Sequence, residues 1–512
     1  MSVFAGGSGS DKDGVSAITI LSGELYRSCG LGFSGRIEGS GQGDVLTNEI
    51  KKGLFVTPTR SSASASARAT ASSHPGLAAR ALAMTAIDDF LTKSQPLDET
   101  LDRLLDAPAA RELPDRDRGL VRAIAMAAIR RLGTIAKALE ERIERGLPTH
   151  SGPLEPILIS GAAQILFLDV PDHAAVDLSV RLVQANPDAK RFMSLTNAVL
   201  RRIAREKDDI LKKSDPLSTD TPDWLANRWI KAYGADQAAR IAAAFRTEPA
   251  VDLTLRGDPE SWAEKLNAKI LANGSLRLRD RTPVRLLPGY EEGAFWVQDI
   301  AAALPVRLLD PKPGEFIADL CAAPGGKTAQ LALSGAHVTA VDRSEKRLAR
   351  LSQNMQRLGF SVDVVVADAS LWRGGPFDAI LLDAPCTATG TIRRHPDVAW
   401  LKSEEDLVKL ARLQQRLLDH SAELLKPGGR LIYCTCSLEP EEGENQIKTC
   451  LARNPSLRLK PFEAKTLPWL GEALSAAITP EGFLRTLPFM MPDDDPRLAG
   501  LDGFFAAELK KI

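Results

Sequence analysis

The sequence predicts a multidomain chain made of an all-α helical bundle, a small α/β connector and an α/β domain built on a mostly parallel sheet. Three observations predict it. Apolar residues recur every three or four positions between residues 76 and 210, the helical period. Short alternating segments follow as far as residue 300. After Gly314, apolar strands alternate with helical segments, the order that covers both faces of a parallel sheet. The 512 residues admit several such domains.

Residues 1–75 are rich in Gly and Ser, and no acidic residue occurs from Lys51 through Ile87. This reads as a disordered tail, with an organelle-targeting segment or an upstream start codon as alternatives. The bundle, residues 76–210, rests on Leu82, Ile87, Phe90 and Leu91, then on Leu120, Ile124, Ala128 and Leu132. Further helices fit Ile157–Phe167 and Leu195–Ile203. Arg201, Arg202 and Arg205 near the end of the latter are either RNA contacts or an exposed face that complements the helix dipole.

In the connector, residues 211–300, a helix is expected from Thr221 to Tyr233 and strands at Val251–Arg256 and Ser275–Arg279. Alternation sends Leu276 and Leu278 one way and Arg277 and Arg279 the other, with Arg281 and Arg285 following. One face is therefore expected to be cationic, as a phosphate contact or as a charged edge strand that resists aggregation.

In residues 301–512, strands are expected at 316–320, 337–341, 362–367, 377–382 and 430–434. Leu348, Leu351, Met355 and Leu358 mark one amphipathic helix. Ser403 to Asp406 form a capping box for another, which Gly428 and Gly429 would close. Ligands of such sheets bind beyond the carboxyl ends of the strands, where Cys321, Asp342, Asp368, Asp383 and Cys436 fall. The loop Cys321, Ala322, Ala323, Pro324, Gly325, Gly326, Lys327 opens a helix, and its small residues let a ligand approach the backbone. Gly326-Lys327-Thr328 matches the end of a phosphate loop, but Cys321 stands where that motif needs glycine. Asp342 suits a ribose and Asp368 an adenine edge, although either acid could simply cap a helix. The G-x-G-x-x-G fingerprint of NAD sites is absent.

The balance of 65 Lys plus Arg against 66 Asp plus Glu excludes a uniformly basic nucleic-acid binder, so any phosphate-binding surface is local. No run approaches the ~18 apolar residues of a membrane span. The six cysteines lack a disulfide framework's spacing, which fits a reduced, cytoplasmic setting. Cys386 and Cys436 nevertheless fall beside one cleft. Zinc would need more ligands than His395 could add; Cys434 and Cys450 read as core. A thiol beside an adenosine-type donor suits pyrimidine alkylation, because carbon-5 of cytosine becomes nucleophilic once a thiolate adds to carbon-6. Asp383 is placed to stabilise charge at N3.

Asp319–Thr328, Asp383–Cys386, Thr389–Asp397 and Thr435–Ser437 together closely resemble the RsmB/Sun family of RNA cytosine carbon-5 methyltransferases. The resemblance implies a Rossmann-like domain that binds S-adenosylmethionine through Cys321 to Lys327, Asp342, Asp368 and Asp383. It also implies Cys436 as nucleophile and Cys386 as the residue that aids release; DNA cytosine methyltransferases use the Pro-Cys cysteine instead, so the order of roles rests on the family. Leu113–Arg118 and Thr196–Arg202 make the bundle similar to the NusB-like RNA-binding domain of bacterial members, which implies small-subunit ribosomal RNA as partner, without membrane or metal. Trp296–Asp299 and Gly500–Ala506 also resemble family segments. One departure is Thr387, where the family commonly has Ser; the hydroxyl survives. The competing expectation is a non-catalytic ribosome-assembly factor. Arg201, Arg202, Arg277, Arg279, Arg393 and Arg394 are the candidate RNA contacts, each with an exposed-face alternative.

Overall fold

A computed structural model describes residues 75–512; the tail read at residues 1–75 lies, Pro75 apart, outside the described residues. Helices Leu77–Lys93, Leu97–Asp106, Asp115–Arg130, Leu132–Glu140, Leu154–Phe167, Asp172–Ala185 and Met193–Arg205 pack around one apolar core. The helix Leu154–Phe167 is apolar on every side and buries every residue from Pro156 to Leu166, so it takes the centre of the bundle. Gly161 permits this: a Cβ there would lie 2.7 Å from Leu200 and 2.8 Å from the Ser179 hydroxyl. Helix Met193–Arg205 turns Val199, Leu200 and Ile203 inward and leaves Arg201, Arg202 and Arg205 exposed, with Arg202 paired to Glu206 at 2.8 Å. Two more helices, Asp223–Tyr233 and Ala235–Phe245, lead to the strands.

Four short strands, β1 (Asp252–Leu255), β2 (Ala268–Ile270), β3 (Leu276–Leu278) and β4 (Phe295–Val297), form an antiparallel sheet in the order β2-β3-β1-β4. Here the structure corrects the expectation for Arg277, while Arg279, Arg281 and Arg285 are exposed. Strand β3 is internal, and Arg277 is fully buried with its guanidinium 2.7 Å and 2.8 Å from the two carboxylate oxygens of Asp252. The same guanidinium donates to the carbonyls of Leu498 and Gly500 at 2.7 Å and 2.8 Å. Arg279, just past the strand end, is exposed, and Arg281 pairs with Glu248 at 3.1 Å. Arg277 is thus an internal tie and meets neither phosphate nor solvent.

The large sheet contains β5 (Phe316–Leu320), β6 (His337–Asp342), β7 (Asp363–Val366), β8 (Phe377–Asp383), β9 (Leu425–Thr435), β10 (Leu457–Lys460), β11 (Leu484–Thr486) and β12 (Phe504–Lys511). Its order is β10-β12-β9-β8-β5-β6-β7, with β11 also on β12. Strands β7, β6, β5, β8 and β9 run parallel, whereas β12 inserts antiparallel beside β9. Side chains alternate as the pleat requires: Ile317, Ala379, Leu381 and Ile432 enter one core, and Ala318, Ile380, Leu382 and Leu431 the other. The chain leaves β5 toward β6 on one side and returns to β8 on the other, so a crevice opens between the carboxyl ends of β5 and β8. Ser403 and Asp406 form the expected reciprocal cap, but the helix ends at Leu424 and Gly428 and Gly429 lie inside β9. Pairing of Leu425 with Phe377 draws the chain into the sheet before the glycines are reached.

The bundle rests on the segment that follows the Pro-Cys loop. Arg130 donates to the Arg393 carbonyl at 2.6 Å, the Leu97 N–H to Asp397 at 2.9 Å, and the Trp400 indole N–H to the Ile129 carbonyl at 3.1 Å. The neighbouring arginines are likewise internal, which corrects their reading as RNA contacts. Arg394 pairs with Asp299 and with Asp502, the latter at 3.1 Å, and Arg393 lies 3.5 Å from Asp502. Arg393 is buried and Arg394 only partly exposed, and acids distant in sequence hold both.

His395 lies 2.6 Å from Asp98 across the same contact. Burial opposes its charge, but Asp98, then Asp397 and Asp502, outweigh burial and raise its pKa. A raised folded pKa stabilises the protonated form: the contribution is complete below the unfolded value of about 6.5 and is lost as pH rises through the folded value. The imidazole is half-exposed, so the effect is small, about 0.5 kcal/mol. Wild type is therefore expected to exceed His395→Gln in unfolding midpoint at pH 6 and to match it at pH 9. A gap independent of pH would remove the charge pair as its cause.

Candidate active site

Strand β5 ends in a backbone set for a tight turn. Cys321 adopts φ 62° and Gly325 φ 102°, both left-handed, and a Cβ on Gly325 would lie 2.8 Å from Leu351. Helix Gly326–Leu333 then begins. Beneath the turn, the Thr328 hydroxyl donates to Asp319 at 2.6 Å, and burial pushes the Asp319 carboxyl up to about 7. Burial likewise pushes the Cys321 thiol up to about 12, so that sulfur stays protonated and unreactive.

Asp342, at the end of β6, accepts the Ala323 N–H at 3.2 Å and the Ser344 N–H at 2.9 Å, so it both holds the β5 loop and opens the next turn. The Arg347 guanidinium lies 3.5 Å from the same carboxylate and also donates to the Ala323 carbonyl. Asp368, just beyond β7, accepts the Ser370 N–H at 2.9 Å and its hydroxyl at 2.7 Å; those bonds hold its carboxyl below the usual range. Both acids have the local capping contacts expected of helix or turn caps, and both lie at strand ends on the crevice side.

Across the crevice, Lys327 meets Asp383 at 2.8 Å. Burial works against the lysine charge, but Asp383 outweighs it and raises the pKa of Lys327, so the ammonium persists although its own side chain is buried. The second Asp383 oxygen lies 3.5 Å from the Cys434 sulfur. Cys434 is the buried strand residue the sequence suggests, and it also borders the site.

The sulfurs of Cys386 and Cys436, fifty positions apart, lie 3.5 Å from each other. Cys386 follows β8 and Cys436 follows β9, neighbouring parallel strands, so the sheet itself brings the two loops together. The hydrogen bond with Cys436, then burial, raises the Cys386 pKa well above its ordinary value. Gly390 also closes on the Cys436 loop: its N–H donates to the Cys436 carbonyl at 3.0 Å, and a Cβ on it would lie 2.0 Å from the Gly503 carbonyl oxygen.

Sequence reasoning missed the residues that hold these loops. Glu442 accepts the Thr387 N–H at 3.0 Å and a Gln414 amide N–H at 2.9 Å. Glu439 is gripped by Arg228 at 2.8 Å and by the Trp229 indole at 3.1 Å. Arg485 donates to the Ser437 carbonyl and pairs with Glu444 at 2.7 Å. The only sequence signal is the acidic run from Glu439 to Glu444, which by composition reads as a solvated loop.

The family described as 16S rRNA methyltransferase RsmB/F matches residues 306–510, and the NusB family matches residues 77–205. The chain is similar to the ribosomal RNA small subunit methyltransferase B of Cronobacter sakazakii, 35% identical over 426 residues that span 79% of this chain and 96% of that protein. It is 36% identical to the protein of the same name from Shewanella oneidensis over 397 residues, 74% of this chain and 91% of that one. The crystal structure of PH0851 superposes with a TM-score of 0.64 at 25% identity, covering 86% of this chain and 99% of that one. Two strand-end thiol loops, a glycine-bearing crevice and an N-terminal NusB segment thus occur in one chain that belongs to the RsmB/F family of 16S rRNA methyltransferases.

Proposed function

We propose that this protein transfers a methyl group from S-adenosylmethionine to carbon-5 of a cytosine in small-subunit ribosomal RNA, through a covalent cysteine adduct at carbon-6. The observation that carries this reading is the pair of sulfurs 3.5 Å apart, beside the Lys327–Asp383 ion pair. The β5 loop suits the cofactor, since its left-handed Cys321 and Gly325 keep the backbone open toward the crevice. Cys321, Ala322, Ala323, Pro324, Gly325, Gly326 and Lys327 would hold it, with Asp342 at the ribose, Asp368 at the adenine and Asp383 near the sulfonium. When bound, S-adenosylmethionine supplies an electrophilic methyl group to the activated carbon-5.

The chain's own residues do the rest. Two thiols this close do not both ionise readily, so one serves as nucleophile and the other keeps its proton. The family resemblance assigns the addition to carbon-6 to Cys436 and leaves Cys386 for release. The Lys327–Asp383 pair meets N3, where negative charge develops, with a shared proton. In release, the carbon-5 to hydrogen bond breaks and its electron pair restores the ring double bond. The carbon-6 to sulfur bond breaks with its pair returning to Cys436, which takes the proton of Cys386, while Cys386 receives the proton from carbon-5.

Incubation with labelled S-adenosylmethionine and small-subunit ribosomal RNA, followed by nucleoside analysis, is expected to place the label in 5-methylcytidine. Label on ribose, or in any other nucleoside, would overturn the reading.

A further inference from the structure

Glu442 is fully buried, yet it lies neither on a strand nor in the crevice wall; it ends the single turn Pro440–Glu442 behind the Cys436 loop. Its carboxylate accepts the Thr387 N–H on both oxygens, at 3.0 Å and 3.1 Å, and also the Thr387 hydroxyl. Gln414 donates to it at 2.9 Å and, from the same nitrogen, to the Pro385 carbonyl at 2.9 Å. The Ser437 hydroxyl also hydrogen-bonds it, and lies 3.2 Å from the Thr387 hydroxyl. One carboxylate therefore reaches the residue after each thiol, and with Gln414 it brackets Cys386 from both neighbours. Its own carbonyl is fixed by the Tyr433 hydroxyl at 2.7 Å.

Burying a carboxylate is costly unless donors saturate it, and a loop could be anchored more cheaply by a neutral amide. Burial raises the Glu442 pKa, while Ser437, Thr387 and Gln414 pull it back. Retaining an anion there has one local consequence that an amide lacks: its field falls on Cys386.

We propose that Glu442 is a positioning residue for the reaction: through Thr387 and Ser437 it sets the Cys386 thiol against the Cys436 sulfur and fits Cys386, not Cys436, to serve product release. The proposal rests on the covalent mechanism above and deepens it. The titratable groups that face Cys386 are Cys436, Glu442 and the Tyr433 hydroxyl. Of these, Cys436 acts most strongly on Cys386, and Glu442 adds a negative charge from behind the loop that also holds Thr387 and Ser437.

The test uses the full chain with Glu442→Gln, read in two ways. The first is the pH dependence of Cys386 alkylation by iodoacetamide, followed by peptide mass in the absence of RNA. The second is the covalent protein–RNA species on denaturing gels, formed with S-adenosylmethionine and small-subunit ribosomal RNA. Removing the charge is expected to lower the alkylation midpoint of Cys386 by about one pH unit. Covalent species are expected to rise about tenfold over wild type as release slows. Should Glu442→Gln fail to fold, Thr387→Val, which removes only the hydroxyl contact, is expected to slow release about threefold. An unchanged Cys386 midpoint, or turnover that falls with no covalent species accumulating, overturns the assignment, as does unaltered release in Thr387→Val. Cys386→Ala serves as control: if it accumulates adduct while Glu442→Gln does not, Glu442 alone is misassigned. If it too forms none, the covalent mechanism itself fails.

Discussion

Cys436→Ala is expected to abolish methyl transfer, by about a thousandfold or more, the scale on which removal of a covalent nucleophile acts. Cys386→Ala is expected to behave differently: addition to carbon-6 still occurs, but release stalls, and protein linked to RNA accumulates in step with enzyme. The contrast is informative because both substitutions remove one sulfur from the same 3.5 Å contact. Losses of packing are therefore alike, and a difference in outcome reports chemistry. Denaturing electrophoresis of each variant with labelled RNA separates the cases. An RNA-linked band in Cys436→Ala, or multiple turnover by Cys386→Ala without one, would reverse or remove the two roles.

Arg277→Leu is expected to destabilise the protein by about 3–5 kcal/mol, because it strands the buried Asp252 carboxylate without its partner. The effect extends beyond one pair. Asp252, Asp299 and Asp502 are buried, and Arg277, Arg393 and Arg394 lie among them. These three carboxylates and three guanidinium groups balance in charge. Arg394, Arg393 and Arg277 overcome burial and hold Asp299 down at about 2. Taking away one guanidinium leaves a net negative interior and frees the Leu498 and Gly500 carbonyls from their donor. Arg279→Leu, on the exposed position two residues away, is expected to shift stability by no more than about 0.5 kcal/mol. Urea unfolding of both variants checks the pair; equal midpoints would mean that the cluster is not an energetic tie between the small sheet and the large one.

The alternation of Leu276, Arg277 and Leu278 was readable from sequence, and the strand exists, but alternation says only that neighbours face opposite ways. It does not say which side is wet. Both faces of β3 are covered here, the arginine side by a loop more than two hundred positions later. The same limit applies to Arg393 and Arg394, whose acid partners lie near residues 299 and 502. In the site, Cys321, Asp342, Asp383, Cys386 and Cys436 fall at strand ends because apolar runs mark where each strand stops, a local property. Glu442 carries no local mark: fifty-five positions separate it from Thr387, and its acidic neighbours disguise it as solvated loop.

The sequence by itself determined the helical character of the N-terminal bundle, the five parallel strands of the large sheet and the family, since hydrophobic period and motif spacing are written in adjacent residues. The tertiary structure alone decided the helix end at Leu424, the antiparallel insertion of β12, the burial of the arginines and the grip of Glu442 on the thiol loops. Each of these depends on which distant segments exclude water from one another, and burial is a property of the packed chain rather than of any stretch within it.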